Sequence, residues 1–270
     1  MDDTKASSGC CAPDHSAAVD ARYGAAAQEQ EPCLCTAVPF EPSLLEAIPR
    51  DVIERDYGCG DPTRWVQRGD RVLDLGSGSG KNAFIAAQLV GPEGSVLGLD
   101  RNDEMLKLSR GACGAVAAAI GYGNVTFSCG EIDQLGVDRD GQALLADQSI
   151  DLVLSNCVLN LLHPSRREGL LAEITRVLAP AGRVAISDII CDQPVPISMQ
   201  RDPDLWSGCI SGAWVEQDFL DAFRHLGFEQ VRYADRMAQP WRVVEGIEFR
   251  AATVVAVKPA ADSTEAEHSR

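Results

Sequence analysis

The sequence has no excess of positive charge. It contains 24 lysines and arginines against 40 aspartates and glutamates, which gives a formal net charge of −16 at pH 7. Nucleic acids and anionic membrane surfaces are bound through clusters of lysine and arginine. The charge balance therefore argues against a nucleic acid or a membrane as the partner of this protein.

Long apolar runs are missing as well. No stretch approaches the roughly 20 consecutive apolar residues that a transmembrane helix needs. Residues 1–4 also lack the basic start of a signal peptide, and on these grounds we expect a cytoplasmic protein. Histidine is scarce, and the four histidines do not have the spacing of metal ligands, which argues against a histidine-based metal site.

Cysteine, by contrast, is abundant, with ten residues in a chain of 270. A secreted disulfide scaffold would be shorter and would start with a signal peptide, so reduced thiols with a metal, metalloid or redox task fit better. Cys59, Cys157 and Cys209 each lie beside small or polar residues in segments that are typical of loops. Cys113 and Cys129 fall in a helix and a strand pattern and are expected to pack as small apolar residues.

Strand and helix patterns alternate along most of the chain. Such alternation predicts an α/β fold with a mostly parallel, doubly wound, Rossmann-like sheet of seven strands, covered by helices on both faces. The expected strands cover residues 71–75, 95–100, 125–129, 150–155, 183–188, 229–234 and 249–257, and the main helices cover residues 81–89, 103–120, 165–178 and 216–226.

A glycine-rich turn at residues 76–80 follows the first strand and precedes a helix. Glycines in such a turn let backbone N–H groups approach a ligand closely. A P-loop is excluded, because no glycine stands five residues before Gly80 and Lys81 is followed by asparagine. A dinucleotide-binding fingerprint can also be fitted to this loop. The pattern alone therefore does not exclude a dinucleotide as the ligand.

Two carboxylates decide between the remaining ligands. Asp74 lies at the mouth of the turn, where it would repel a pyrophosphate but suits an ammonium or a sulfonium group. Asp100 ends the next strand, where a carboxylate can accept hydrogen bonds from two ribose hydroxyl groups. The pair favours S-adenosylmethionine over NAD. The alternative is that both residues are strand-end acids that cap helices.

The sheet topology also places one cysteine at the predicted binding site. Asn156 and Cys157 end the fourth strand, and ligands of open α/β sheets bind in the crevice at the carboxyl ends of the strands. Residues 129–133, after the third strand, are expected to border the adenine of the cofactor. The topology alone therefore predicts that Cys157 lies at the reacting end of the crevice.

Four segments of the sequence resemble those of the arsenite S-adenosylmethionine methyltransferases. The glycine loop alone would indicate only a methyltransferase, and the cysteine contexts make the resemblance specific. The matching segments are YGCG at 57–60, LDLGSGSG at 73–80, SNCVLNL at 155–161 and GCISGA at 208–213. The resemblance extends over about residues 19–258 and implies a class I methyltransferase fold.

The resemblance also implies roles for individual residues. Cys59, Cys157 and Cys209 correspond to the thiols that hold trivalent arsenic, and Cys33 corresponds to an N-terminal cysteine of the redox cycle. A small arsenical would be the substrate, and a thiol reductant, glutathione or thioredoxin, would reopen a disulfide. We expect a monomer. The implied cofactor-binding residues are Asp74, Gly76, Ser77, Gly78, Asp100, Ile132 and Asn156.

Three functions are compatible with these patterns. The main prediction is methyl transfer from S-adenosylmethionine to trivalent arsenic, whose lone pair is the nucleophile and needs no general base. A second is a methyltransferase for another small molecule, with the cysteines structural. A third is a non-catalytic protein that binds a metalloid or zinc. The additional thiols Cys10, Cys11 and Cys35 leave open which cysteines form disulfides.

Composition and pattern divide the chain into four parts. Residues 1–36 are rich in Ala, Asp, Ser and Gln and predict a flexible, cysteine-containing arm with a short helix near 14–24. Residues 37–190 are expected to form the core that binds S-adenosylmethionine, and residues 191–258 a substrate-side segment with cap elements and the final strands. The polar residues 259–270 predict a disordered tail.

Overall fold

Residues 13–31 and 38–260 are described in the computed structural model of the chain, and they form nine strands and nine α-helices. The strands are β1 (Arg71–Leu75), β2 (Ser95–Asp100), β3 (Val125–Cys129), β4 (Ile150–Asn156), β5 (Leu178–Cys191), β6 (Trp214–Val215), β7 (Glu229–Arg236), β8 (Arg242–Val244) and β9 (Ile247–Val257). The helices are α1 (Ser16–Ala26), α2 (Pro42–Leu45), α3 (Arg50–Glu54), α4 (Lys81–Val90), α5 (Asp103–Ile120), α6 (Arg167–Val177), α7 (Ile197–Gln200), α8 (Pro203–Ser207) and α9 (Glu216–His225). In these two described stretches, none of the helices is long and apolar enough to cross a membrane.

One sheet contains all of these strands. Seven of them follow in the order β3-β2-β1-β4-β5-β9-β7, while β6 pairs with β5 and β8 pairs with β9. The strands from β3 to β5 in this order are parallel, and β9 is antiparallel to its neighbours. The predicted mostly parallel, Rossmann-like sheet is confirmed, with nine strands where seven were expected. The two additional strands, β6 and β8, have two and three residues, too few for a strand pattern to be visible in the sequence.

The central strands are buried on both faces because helices cover both sides of the sheet. On one face, Leu73 of β1 packs in a cluster with Leu170 of α6 and Phe219 of α9. On the other face, Val72 packs in a cluster with Phe84 of α4. This two-sided burial explains why the strands read as continuous apolar runs.

Local signals fix the ends of α5. The Asn102 side chain accepts hydrogen bonds from the N–H groups of Glu104 and Met105, both at 3.1 Å, which is a favourable N-cap. Gly121 ends the helix in the left-handed conformation, with φ 88°. The helix therefore covers the predicted residues and aims its N-terminus at the carboxyl end of the sheet.

The helix α1 packs against the rest of the protein. Ala26 is buried in a cluster with Tyr57, and the Arg22 guanidinium donates a hydrogen bond to the Asp204 carbonyl oxygen at 3.0 Å. Residues 13–31 of the predicted arm thus contain a helix that packs on the rest of the protein, and the flexibility of the arm stays a prediction. All four cysteines of the predicted arm lie outside the described residues: Cys10, Cys11, Cys33 and Cys35.

Candidate active site

A crevice opens at the carboxyl ends of β1, β2 and β4, where open α/β sheets bind their ligands. The predicted reacting-end residue Cys157 lines it, as does Tyr23 of α1. Six of the seven predicted cofactor-binding residues line the same crevice: Gly76, Ser77, Gly78, Asp100, Ile132 and Asn156.

Asp100 closes the glycine loop. Its Oδ2 accepts a hydrogen bond from the Gly78 N–H and its Oδ1 accepts one from the Asn102 N–H, both at 2.8 Å. Gly76 and Gly78 have φ angles of 66° and 53°, a left-handed conformation that glycine adopts without steric cost. Because each carboxylate oxygen has a second lone pair, Asp100 can also accept hydrogen bonds from ribose hydroxyl groups.

Asp74 is the one predicted cofactor residue below the surface of the crevice. Its side chain is 1% exposed, and its Oδ2 makes no hydrogen bond within the described residues. Burial raises the pKa of Asp74 well above its usual value, and the carboxylates of Asp56 and Asp100 raise it further. A buried carboxylate without a cation is costly, so this site fits a positively charged ligand such as S-adenosylmethionine.

Other buried polar groups at the crevice lack partners too. Ser77 Oγ, Asn82 Oδ1 and Arg55 Nε make no hydrogen bond in residues 13–31 and 38–260, and all three residues line the crevice. Buried polar atoms of this kind are rare in folded proteins, so their concentration here indicates a polar ligand. The guanidinium of Arg55 suits a carboxylate, such as that of the methionine half of S-adenosylmethionine.

The three cysteines singled out in the sequence come together beside this crevice. A disulfide joins Cys59 and Cys157, whose Cα atoms are 6.0 Å apart. The Cys209 thiol donates a hydrogen bond to the Cys157 carbonyl oxygen at 3.4 Å. All three side chains are buried in one cluster, although Cys59 and Cys209 are distant from Cys157 in the sequence.

Asn156 connects the cofactor crevice to the Cys59 loop. Its Oδ1 accepts hydrogen bonds from the N–H groups of Cys59 at 2.8 Å and Gly60 at 3.2 Å, and its Nδ2 donates to the Gly60 carbonyl oxygen at 2.8 Å. A Cβ atom at Gly58 would collide with the Asn156 side chain, which explains the glycine there. The side chain that was predicted to bind the cofactor thus positions a predicted arsenic ligand.

The loops that carry Cys157 and Cys209 are locked together. Both cysteines have left-handed φ angles, 60° and 61°, which are strained for residues other than glycine and occur often at functional sites. The Asn160 side-chain amide donates to the carbonyl oxygens of Ile189 at 2.6 Å and Cys209 at 3.3 Å. A Cβ atom at Gly212 would overlap the Asn160 carbonyl oxygen. These contacts hold the two loops against each other.

The structure adds a carboxylate that the sequence analysis missed. Asp188 is fully buried in β5, and one of its oxygens and the sulfurs of Cys157 and Cys209 all lie within 4.8 Å of one another. Burial raises the pKa of Asp188 to about 7, although hydrogen bonds from the backbone N–H groups of Ile189 and Asn160 act in the opposite direction. The sequence feature that could have identified Asp188 is an acidic residue in an otherwise apolar strand.

Tyr23 was also missed, because the sequence assigned its helix to the flexible arm. Its hydroxyl group is buried near Cys209 and Asp188. Burial raises the pKa of Tyr23 well above its usual value, and these two neighbours act in the same direction. The phenol is therefore neutral and closes the crevice on the thiol side.

Of the other described cysteines, Cys191 is buried in the same cluster as the three cysteines beside the crevice, whereas Cys113 and Cys129 lie on the other face of the sheet. Burial raises the pKa of Cys191 to about 12, and its thiol donates a hydrogen bond to the Trp214 carbonyl oxygen at 3.3 Å. Cys113 and Cys129 are partly buried beside the apolar cluster on the α4 side of the sheet. Their pKa values are raised by burial as well, which makes these thiols less reactive.

Comparison with known proteins supports the sequence resemblance. The family model described as a methyltransferase domain matches residues 67–239. Arsenite methyltransferase of Halobacterium salinarum is 38% identical over 221 residues, which cover 78% of this chain and 53% of that protein. Arsenite methyltransferase of Aquipseudomonas alcaligenes is 37% identical over 192 residues, which cover 71% of this chain and 54% of that protein.

A solved structure extends the similarity to the fold. The arsenic(III) S-adenosylmethionine methyltransferase from Chlamydomonas reinhardtii superposes with a TM-score of 0.73 and 35% sequence identity, covering 82% of this chain and 75% of that one. The chain spans about half the length of the curated relatives it matches. The resemblance inferred from the cysteine contexts is confirmed: the chain belongs to the methyltransferase domain family and, within it, to the arsenic(III) S-adenosylmethionine methyltransferases.

Proposed function

We propose that this protein transfers methyl groups from S-adenosylmethionine to trivalent arsenic, in arsenite or methylarsenite, that is held by Cys59, Cys157 and Cys209. The observation that carries the proposal is the meeting of these three buried cysteines beside the crevice. Thiolates are soft ligands that select soft ions. The names of the relatives support arsenic as the substrate.

Different residues at the crevice would bind different groups of the cofactor. Asp74 faces a cation, Arg55 faces a carboxylate, and Asp100 accepts hydrogen bonds from ribose. S-adenosylmethionine, when bound, supplies an electrophilic methyl group. The protein has no proton to remove from arsenic, so its task is to align the arsenic lone pair with that methyl group and to exclude water.

The cysteines also supply a route for reduction. Methyl transfer leaves arsenic formally oxidised from +3 to +5, and two thiolates that leave as a disulfide return the electron pair. The pair Cys59 and Cys157 can form such a disulfide, and glutathione or thioredoxin would reopen it by thiol–disulfide exchange. This cycle needs a reducing compartment, for which we propose the cytoplasm, and we propose that the enzyme is a monomer. The redox role of Cys33 stays a prediction.

A product assay tests the proposed function. Reduced protein is incubated with S-adenosylmethionine, glutathione, a thioredoxin system and either arsenite or methylarsenite, and the products are separated and identified by mass spectrometry. We expect methylated arsenic and one S-adenosylhomocysteine for each methyl group transferred. Tight arsenic binding without turnover would support a sequestering protein instead, and S-adenosylhomocysteine formed without methylated arsenic would indicate another acceptor.

A further inference from the structure

The Asp188 carboxyl group lies beside the sulfur atoms of two of the three cysteines. Its Oδ1 accepts a hydrogen bond from the Ile189 N–H at 2.8 Å, and its Oδ2 accepts one from the Asn160 N–H at 3.2 Å. These donors fix the orientation of the carboxyl group and leave it an acceptor. An oxygen of the same group lies within 4.8 Å of the sulfurs of both Cys157 and Cys209.

Among residues 13–31 and 38–260, no lysine or arginine forms an ion pair with this carboxylate. The cation that acts on Asp188 is Arg167. The Arg167 guanidinium donates a hydrogen bond to the Gly212 carbonyl oxygen and lies over the Trp214 ring, 4.4 Å from its centroid. The nearby Tyr23 hydroxyl is neutral. Beside thiolates, a buried negative charge is unfavourable, and it becomes favourable only when positive charge appears at the same place.

Methyl transfer creates such a positive charge. The arsenic lone pair forms the arsenic–carbon bond, and the methyl–sulfur bond breaks with its electron pair staying on the sulfur of the cofactor. That sulfur becomes a neutral thioether. Arsenic, bonded to three thiolates and a methyl group, carries the positive charge until two thiolates leave as a disulfide and a further thiolate completes its coordination.

We propose that Asp188 is the counter-charge that stabilises arsenic as it becomes cationic, an inference that rests on the proposed function. An arsenic atom bonded to the sulfurs of Cys157 and Cys209 must lie beside the Asp188 carboxylate, because that carboxylate is near both sulfurs. A negative charge placed where positive charge develops stabilises the transition state more than the ground state. Asp188 would therefore accelerate the chemical step and contribute little to binding of the arsenical.

The variant Asp188→Asn tests this role. Asparagine keeps the size of the side chain and an oxygen that can accept the Ile189 N–H. We expect the single-turnover methylation rate, measured by rapid quench with arsenical already bound, to fall about 10²-fold. The affinity for the arsenical, followed by tryptophan fluorescence, should change by less than about threefold. The control is Asp192→Asn, an exposed acid near the end of the same strand, which should keep the wild-type rate.

A second variant separates charge from shape. Asp188→Ala removes the carboxylate, and added formate should restore at least part of the rate if the charge is what matters, even if Asp188→Asn folds poorly. An unchanged rate in Asp188→Asn would overturn the proposal. Equal losses of rate and arsenical affinity, without rescue by formate, would show a structural acid and overturn it too. A wild-type protein that methylates no arsenical would instead reject the proposed function itself.

Discussion

Replacement of Asp74 by asparagine is expected to weaken binding of S-adenosylmethionine by about 10²- to 10³-fold, the usual cost of removing one partner of a buried charge pair. The same change should stabilise the cofactor-free protein. Asp74 is buried and its Oδ2 has no hydrogen-bond partner within the described residues. Removing its charge should raise the free energy of unfolding by on the order of 1–3 kcal/mol.

The stabilisation should depend on pH with a definite sign. Because burial raises the pKa of Asp74 well above its usual value, the folded protein holds a proton that the unfolded chain releases. The contribution of Asp74 to stability therefore decreases as pH rises from about the unfolded value towards the raised folded value. The variant lacks this decrease, so its advantage over the wild type should grow through that range.

Calorimetric titration and thermal unfolding at several pH values measure both effects. Asp235→Asn is a matched control, because Asp235 is exposed and pairs with Arg64 at 3.9 Å on the surface. The control should change neither cofactor affinity nor stability appreciably. Wild-type affinity for S-adenosylmethionine in Asp74→Asn would mean that the buried carboxylate does not face the cofactor cation.

Replacement of Cys157 by serine should reduce arsenic methylation by about 10³-fold or more, because a serine hydroxyl is a hard, weakly acidic ligand for a soft ion. Cys157 has two proposed tasks. It binds arsenic together with Cys209, and it forms the disulfide with Cys59. A single oxygen-for-sulfur change removes both, so added reductant should not restore the rate.

Cys113→Ser is the control for this substitution. Cys113 lies on α5, and its thiol donates a hydrogen bond to the Ser109 carbonyl oxygen at 3.5 Å, a role that serine can take over. This variant should methylate arsenic at the wild-type rate. If Cys157→Ser retained a rate within about tenfold of the wild type, the three-thiol site would be contradicted.

Local signals made part of this fold and site predictable. The strands β1, β2 and β3 and the helix α5 have the predicted bounds, because their ends coincide with acids, glycines and a good N-cap. The rule that ligands bind at the carboxyl ends of parallel strands then predicted the crevice that Asp100 and Cys157 line. Only the family resemblance predicted that Cys59 and Cys209 lie near Cys157.

Long-range contacts explain what the sequence did not reveal. The segment containing α1 looks like a polar arm, and its helix is held by contacts such as that of Arg22 with Asp204. The sequence pattern predicted that this strand ends at Asp188, whereas β5 continues to Cys191. Its closeness to the sulfurs depends on loops with left-handed residues, which hydrophobic periodicity does not encode.

X-ray absorption at the arsenic edge tests the central claim most directly. It counts the sulfur atoms bonded to arsenic in the reduced protein loaded with one equivalent of arsenite. The account predicts three sulfur ligands in the wild type, and two sulfurs with one oxygen in each of Cys59→Ser, Cys157→Ser and Cys209→Ser. A wild-type spectrum dominated by oxygen ligands, or three sulfurs retained in all three variants, would contradict it.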